Sequence, residues 1–252
     1  MSDQGRSLIV RCTGPIEAEF SSPPSTLDGN AAHIWFSRLD DLRYRVQEFE
    51  QLLDQDEKER AARFRFPIDR ERYIIGHGLL RKLLSRYTGI DPIEIRTIRG
   101  KFGKPYLPDR SIEFNLSDTK DAVLIAFARH EIGADLETMN RMVDHLKVAE
   151  HYFTPNEIDS IKSAGDHKRR FLELWTRKEA VLKASGVGIM DDLRVLEVHA
   201  ELNHCTITNE DFIADAAAEY EVRTWHVGSD HLVSLAAVQD LHVKFVTLSD
   251  VA

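Results

Sequence analysis

Two helical segments of this chain share one pattern, and that repetition limits the fold more than any other feature. Arg72-Tyr73-Ile74 followed by Leu83-Leu84 is matched by Arg170-Phe171-Leu172 followed by Val181-Leu182, 98 residues later in both places. Upstream, Phe66-Pro67 loosely parallels Phe153-Thr154-Pro155. Amphipathic helices often look alike, so one matched pair is suggestive only with its surroundings. Those surroundings are strand-like segments, which give each helix an apolar face to cover. The chain therefore reads as α+β. Two pseudo-symmetric halves, each a small antiparallel sheet packed against a long helix, would explain the echo. With 252 residues, 42% of them hydrophobic, the chain is long enough for such a core.

Turn chemistry marks the boundaries. Gly14-Pro15, Ser21-Ser22-Pro23-Pro24 and Asp28-Gly29-Asn30 make residues 1–30 read as an N-terminal arm or irregular lead-in. The first half then spans 31–118 and the second 119–252. In the first, His33–Phe36 reads as a strand, Leu39–Leu53 as a helix and Asp56–Phe64 as a short charged helix. Pro67 interrupts, and Asp69 caps a helix to about Tyr87. Ile93–Ile98, Phe114–Ser117, Ala122–Ala128 and Ile132–Leu136 are strand-like. A helix covers Val143–Glu150. Thr154-Pro155-Asn156-Glu157 starts another, with Pro at N1 and Glu at N3. A third runs from about His167 to Ala184, with Gly186 and Gly188 as its stop. The last third reads as strands at Arg194–His199, Tyr220–Val227, Leu232–Val238 and His242–Leu248.

No apolar run approaches the roughly 20 residues of a membrane span, and the N-terminus lacks a signal-peptide pattern. Cys12 and Cys205 stand far apart, which fits a reducing cytoplasm. The net charge of -9 argues against a nucleic-acid partner. Between Glu57 and Lys104, however, 13 Lys/Arg face 6 Asp/Glu, a local +7. A basic segment in an acidic chain suits a phosphorylated small molecule; a solvated helix face reads the same way.

Asp135 and Glu137 lie at i and i+2 of the strand Gly133-Ala134-Asp135-Leu136-Glu137, so both carboxylates point to one face. Two adjacent carboxylates repel unless a cation or solvent compensates. Mg²⁺ prefers such oxygen ligands and shares them with phosphates. Two solvated acids on an exposed strand are the plainer alternative. Trp175, Glu179 and Lys183, at i, i+4 and i+8, form one helical stripe, in which Glu179 and Lys183 also suit an ion pair. Asn115 and Ser117 at a strand end can hydrogen-bond a phosphate or base, and Lys104 in Gly103-Lys104-Pro105 can reach an anion. No P-loop, zinc helix, nucleophile elbow or dinucleotide fingerprint is present.

Taken in order, Gly103-Lys104-Pro105, Phe114-Asn115-Leu116-Ser117, Gly133-Ala134-Asp135-Leu136-Glu137 and the segment from Trp175 through Lys178-Glu179 and Lys183 to Gly186 and Gly188 resemble the 4′-phosphopantetheinyl transferases. The likeness is to the larger two-half type, similar to the surfactin-synthetase-activating enzymes. Arg72–Leu84 and Glu59–Phe64 also look like that family's first half.

The resemblance implies transfer of the phosphopantetheine arm of coenzyme A to a serine of an apo carrier protein, releasing adenosine 3′,5′-bisphosphate. It implies Mg²⁺ held by Asp135, Glu137 and Glu179, with Glu157 at a further acidic position nearby. Glu179 would act as base and Lys183 would stabilise the phosphates. Arg72, Lys104, Pro105, Ser117, Asp118, Lys178 and Arg60 would line the coenzyme A site. A monomer is expected from the fused length. Arg141, Met142 and Lys147 make a candidate contact for the carrier. One position departs from the family: the residue after Ser117 is usually His, where it helps bind the 3′-phosphate, and here it is Asp118. A coenzyme A binder without transfer activity and a metal-dependent phosphohydrolase are the alternatives.

Overall fold

The computed structural model describes residues 5–188 and 192–248. The chain begins with β1 (Arg6–Glu17), β2 (Phe20–Ser21) and β3 (Ala31–Arg38), then α1 (Val46–Leu52), α2 (Gln55–Ala62) and α3 (Pro67–Thr88). Next come β4 (Ile98–Arg99), β5 (Pro105–Tyr106), β6 (Glu113–Asp118), β7 (Ala122–Ala128) and β8 (Ile132–Thr138). After these follow α4 (His145–Tyr152), α5 (Pro155–Ser163) and α6 (His167–Ser185). The chain ends with β9 (Leu202–Ile207), α7 (Glu210–Asp215), β10 (Glu219–Val227), β11 (His231–Ala237) and β12 (His242–Thr247). No helix among the described residues is long and apolar enough to cross a membrane.

The repeated helices are α3 and α6, and each covers one sheet. Ile74, Leu79 and Leu83 of α3 pack with Trp35, Phe114, Ile125 and Phe127 on the sheet ordered β2-β12-β3-β7-β6. Leu172 and Val181 of α6 pack with Val10, Val222, Leu232 and Ala236 on the sheet ordered β8-β11-β10-β1-β9. The opposite sheet faces form a third apolar cluster, in which Ile34, Leu124 and Ala126 join Leu136, Trp225 and Val233. Both helices end in a left-handed glycine, Gly89 and Gly186, each with φ of 74°. The α+β class and the two halves are as the sequence led one to expect.

Several details differ. Both sheets are mixed, because β1 runs parallel to β10 and β12 runs parallel to β3 and β2. The described part of the expected lead-in, 5–30, is no mere arm: Arg6–Glu17 is a twelve-residue strand whose Leu8, Val10 and Cys12 face the core, and 1–4 lie outside the described residues. That strand belongs to the sheet of the second half, while β12, at the other end of the chain, completes that of the first. β7, beyond the expected boundary at 118, also belongs to the first sheet. The ends thus cross between halves, and a division at 31–118 and 119–252 does not follow the sheets. Helix α3 starts at Pro67, not Asp69; its ring occupies the first turn, where no N–H is needed. Arg194–His199 is not a strand: a short 3₁₀ turn over Leu193–Val195 leads into it, and of Ile93–Ile98 only Ile98 is paired in a strand.

Candidate active site at the seam between the halves

The two sheets meet where edge strand β8 runs beside edge strand β6. An edge strand carries N–H groups that its own sheet cannot use. Here the Ala134 N–H donates to Asn115 Oδ1 at 2.9 Å, and the Leu136 N–H donates to Ser117 Oγ at 3.2 Å. Two polar side chains at i and i+2 of β6 therefore close the edge of the other sheet. On its other side β8 lies directly against α6. A Cβ at Gly133 would stand 2.1 Å from the Ala180 carbonyl oxygen and 2.2 Å from the Ala184 nitrogen, so only glycine permits this approach.

That approach brings the acidic strand to the helical stripe. Ser117, Asp118, Asp135, Glu137, Glu179 and Lys183 line one open cleft of about 510 Å³, with Trp175 in its wall. Lys183 does not pair with Glu179, its neighbour one turn earlier. Its Nζ donates to Asp135 Oδ1 at 2.6 Å, to Ser117 Oγ at 3.0 Å and to the Ala134 carbonyl at 3.2 Å. Ser117 donates to the same Asp135 oxygen at 2.9 Å. The other oxygen, Asp135 Oδ2, is buried without a hydrogen-bond partner among the described residues. Glu137 Oε1 accepts from Arg141, whose guanidinium lies 5.4 Å over the Trp175 ring. Arg72 reaches the same region: its Nε is 2.7 Å from Asp118 Oδ2, and its Nη2 is 3.2 Å from Asp69 Oδ1.

Crowding of negative charge shows in the titration of these groups. Burial, then the neighbouring Asp135 charge, pushes Glu137 up to about 7, with Arg141 and Lys183 opposing. The same two causes raise Glu179. Burial also raises Asp118, partly offset by Arg72 and Lys183.

No three His, Cys, Asp or Glu side chains among the described residues are gathered as a ready-made metal cage. Lys183 and Arg141 neutralise two of the three carboxylates where a cation would. The donor set nonetheless fits a hard divalent ion: oxygen ligands only, one buried oxygen without a partner, and two carboxyls, Glu137 and Glu179, whose affinity for a proton is raised by burial and by the charge of Asp135.

Other expected site residues lie elsewhere. Lys178 is 1% exposed, behind α6; its Nζ is 2.8 Å from Glu157 Oε2 and 2.8 Å from the Leu193 carbonyl oxygen. Glu157, fully buried, also accepts from the Val198 N–H at 3.1 Å. This pair fastens α5 to α6 and does not face the cleft, so a coenzyme contact for Lys178 and a metal contact for Glu157 do not fit this arrangement. Lys104 donates to the carbonyls of Ile132, at 2.9 Å, and Ala184, at 3.4 Å. It lines a separate recess of about 220 Å³ with Tyr106 and Arg110, where burial lowers its pKa. Pro105 sits in β5 opposite Arg99, and Arg60 on α2 lies 5.7 Å over the Tyr73 ring.

The cleft also holds residues that the local pattern did not single out. Thr119, Lys120 and Thr138 line it. Behind them Asp121 accepts from Thr119 Oγ1 at 2.8 Å, Thr138 Oγ1 at 3.0 Å and Asn140 Nδ2 at 3.4 Å, and lies 3.3 Å from His231 Nε2. Although burial pushes it up, those hydrogen bonds bring Asp121 down to about 2. In the sequence Thr119-Lys120-Asp121 is an ordinary turn; only the hairpin register reveals the hub.

A family model described as the 4′-phosphopantetheinyl transferase superfamily matches residues 131–236. A second, described as the N-terminal region of a 4′-phosphopantetheinyl transferase, matches residues 42–130. Their junction falls between β7 and β8, where the chain passes from one sheet to the other. The 4′-phosphopantetheinyl transferase HetI of a Nostoc species is 37% identical over 175 residues, covering 66% of this chain and 74% of HetI. The transferase gsp of Aneurinibacillus migulanus is 33% identical over 123 residues, 48% of this chain and 51% of its own. Sfp of Bacillus subtilis is 29% identical over 146 residues, 57% of this chain and 64% of Sfp. With both family models matched in order and HetI aligned over 74% of its length, this chain belongs to the 4′-phosphopantetheinyl transferases, of the Sfp-like type.

Proposed function

We propose that the chain moves the 4′-phosphopantetheine arm of coenzyme A to a serine hydroxyl of an apo carrier protein. The observation that carries this reading is the cleft itself: three carboxylates, Lys183 and Ser117 converge at the seam, with Arg72 beside Asp118 at one end. The serine oxygen forms a bond to the phosphorus that bears pantetheine, and the bond from that phosphorus to the bridging oxygen breaks. Adenosine 3′,5′-bisphosphate leaves with the electron pair.

Glu179 takes the serine proton. Its raised pKa makes it a better acceptor than an ordinary carboxylate, and it has no hydrogen-bond donor of its own among the described residues. Lys183, a quarter exposed, stands where it can turn from Asp135 to the phosphates as charge develops on the leaving oxygen. Asp135, Glu137 and Glu179 would hold Mg²⁺, which when bound supplies positive charge to the pyrophosphate. Arg72, Ser117 and Asp118 border the nucleotide end. Arg60 and Pro105 do not line the cleft and are given no part in this reading. Lys104, held by two backbone carbonyls, acts by fixing the end of α6 against β8. The enzyme acts in the cytoplasm as a monomer.

Intact-protein mass spectrometry of apo carrier proteins mixed with this protein, coenzyme A and Mg²⁺ tests the reading. The expected result is gain of one phosphopantetheine on a carrier serine. Absence of any gain across acyl and peptidyl carriers would overturn it. Glu179→Ala should abolish transfer and leave the circular-dichroism spectrum unchanged; retained turnover would refute the role given to Glu179.

A further inference from the structure

Arg141 is not a loose surface residue. The turn that carries it is fastened to both halves. Thr138 and Asn140 donate to Asp121, and Lys120 Nζ donates to the Asn140 carbonyl at 2.8 Å. The Met139 N–H donates to the Asp230 carbonyl at 2.7 Å, and Lys168 Nζ donates to the Met139 carbonyl at 2.6 Å. The Arg141 N–H itself donates to the Thr138 carbonyl at 3.0 Å. From this anchored turn the side chain lies on the face of Trp175 and reaches Glu137. Glu137 keeps only 11% of its side-chain surface exposed, whereas Arg141 keeps 34% and lines the same cleft.

We infer that Arg141 is the built-in counter-ion of Glu137, and that a divalent cation binds in the cleft by exchanging with it. Arg141 then sets the cation affinity of the site. This rests on the reading of Asp135, Glu137 and Glu179 as metal ligands. The physics is plain. A buried carboxylate beside Asp135 needs positive charge close by, and the guanidinium supplies it at no translational entropy cost. A cation arriving at Glu137 must break that contact and tolerate a second positive charge until the arginine swings away. Aromatic stacking on Trp175 gives Arg141 a defined resting place and makes the contact harder to break.

The test is calorimetric titration of the full-length protein with MgCl₂ at a pH of about 8.5, without coenzyme A, where protons compete little for Glu137. Arg141→Gln should bind Mg²⁺ about fivefold more tightly than wild type, the size expected for loss of one partly exposed charge pair. In a Glu137→Gln background the same substitution should change the affinity by less than about twofold, since the coupling runs through that carboxylate. Circular dichroism and melting curves confirm that each variant is folded, and Arg141→Lys, which keeps the charge, should lie between Gln and wild type. Equal or weaker Mg²⁺ binding by folded Arg141→Gln overturns the inference and leaves the metal reading intact. Absence of Mg²⁺ binding by wild type and variant alike overturns the metal reading, and the inference with it.

Discussion

Asp118 is the residue at which this chain departs from the pattern that the resemblance leads one to expect, and the structure makes the consequence calculable. Its carboxylate is not turned away. It borders the cleft and holds Arg72 at 2.7 Å, while Asp69 holds another nitrogen of the same guanidinium at 3.2 Å. A 3′-phosphate placed at this end meets an arginine already neutralised twice and a carboxylate of its own sign. For charges about 5 Å apart, the repulsion is about 3 kcal/mol at an effective dielectric constant of about 20, and below about 1 kcal/mol in bulk water. Asp118 and Arg72 keep 33% and 28% of their side-chain surface, so a value of about 1.5 kcal/mol is apt. Asp118→His should therefore tighten coenzyme A about tenfold. Dephospho-coenzyme A, lacking that phosphate, should change by less than about twofold. Asp118→Asn should reproduce most of the effect, because the cause is charge and not the imidazole ring. Calorimetric titration of each variant with both ligands measures this. Equal changes for the two ligands would refute the reasoning, since the effect would then owe nothing to the 3′-phosphate.

Two further outcomes concern stability. Lys178→Met leaves Glu157 buried and charged with its cation gone, and should cost about 3–5 kcal/mol in urea unfolding, with much of that restored by adding Glu157→Gln; a loss below about 1 kcal/mol would mean the pair is not the fastening described. For Glu137, the folded chain holds a proton up to a pH of about 7, against 4.5 for an ordinary glutamate. The folded state binds the extra proton between those values, so this group's contribution to stability falls as pH rises through that window, by at most about 3 kcal/mol. Glu137→Gln should consequently gain on wild type between pH values of about 5 and 7.5; a difference that is flat, or of opposite sign, would disprove the environment assigned to Glu137.

Local chemistry made the central elements legible. Ala122–Ala128 is apolar without interruption because both faces of β7 are covered, one by α3 and one by the other sheet. The stripe of Trp175, Glu179 and Lys183, and the i, i+2 pair of Asp135 and Glu137, were equally plain, since a helix and a strand fix which side chains share a face. What stayed hidden depended on distant partners. The alternation of Leu8, Val10 and Cys12 is a strand signal, but it is broken by Gly14-Pro15, and β10, which pairs with it, begins some 200 residues later. Lys178 sits in the same run as Glu179, and nothing local tells which of the two faces the cleft. The answer lies in Glu157, whose capping box with Thr154 aims its carboxylate at α6. Asp121 belongs to this class as well, because beyond Thr119 in its own turn its partners come from the end of β8, the turn after it, and β11.

The seam explains why the chemistry sits where it does. A single half would leave β8 with open N–H groups along one edge, and Asp135 Oδ1 without the Ser117 hydroxyl that holds it. β6 supplies both: Asn115 and Ser117 close the edge, and the same Ser117 hydroxyl holds the Asp135 oxygen that Lys183 also holds. The closure that joins the sheets is therefore also what orients the acidic strand. The repeated arginines show how the halves diverged around it. Arg170 is internal to its half, bound to Glu173, Ser160 and the His199 carbonyl. Arg72, its counterpart on α3, reaches Asp118 at the cleft. One copy of the pattern braces the fold and the other faces the site, so the pseudo-symmetry of the scaffold ends at the seam, where the two halves carry different charges toward a single cleft.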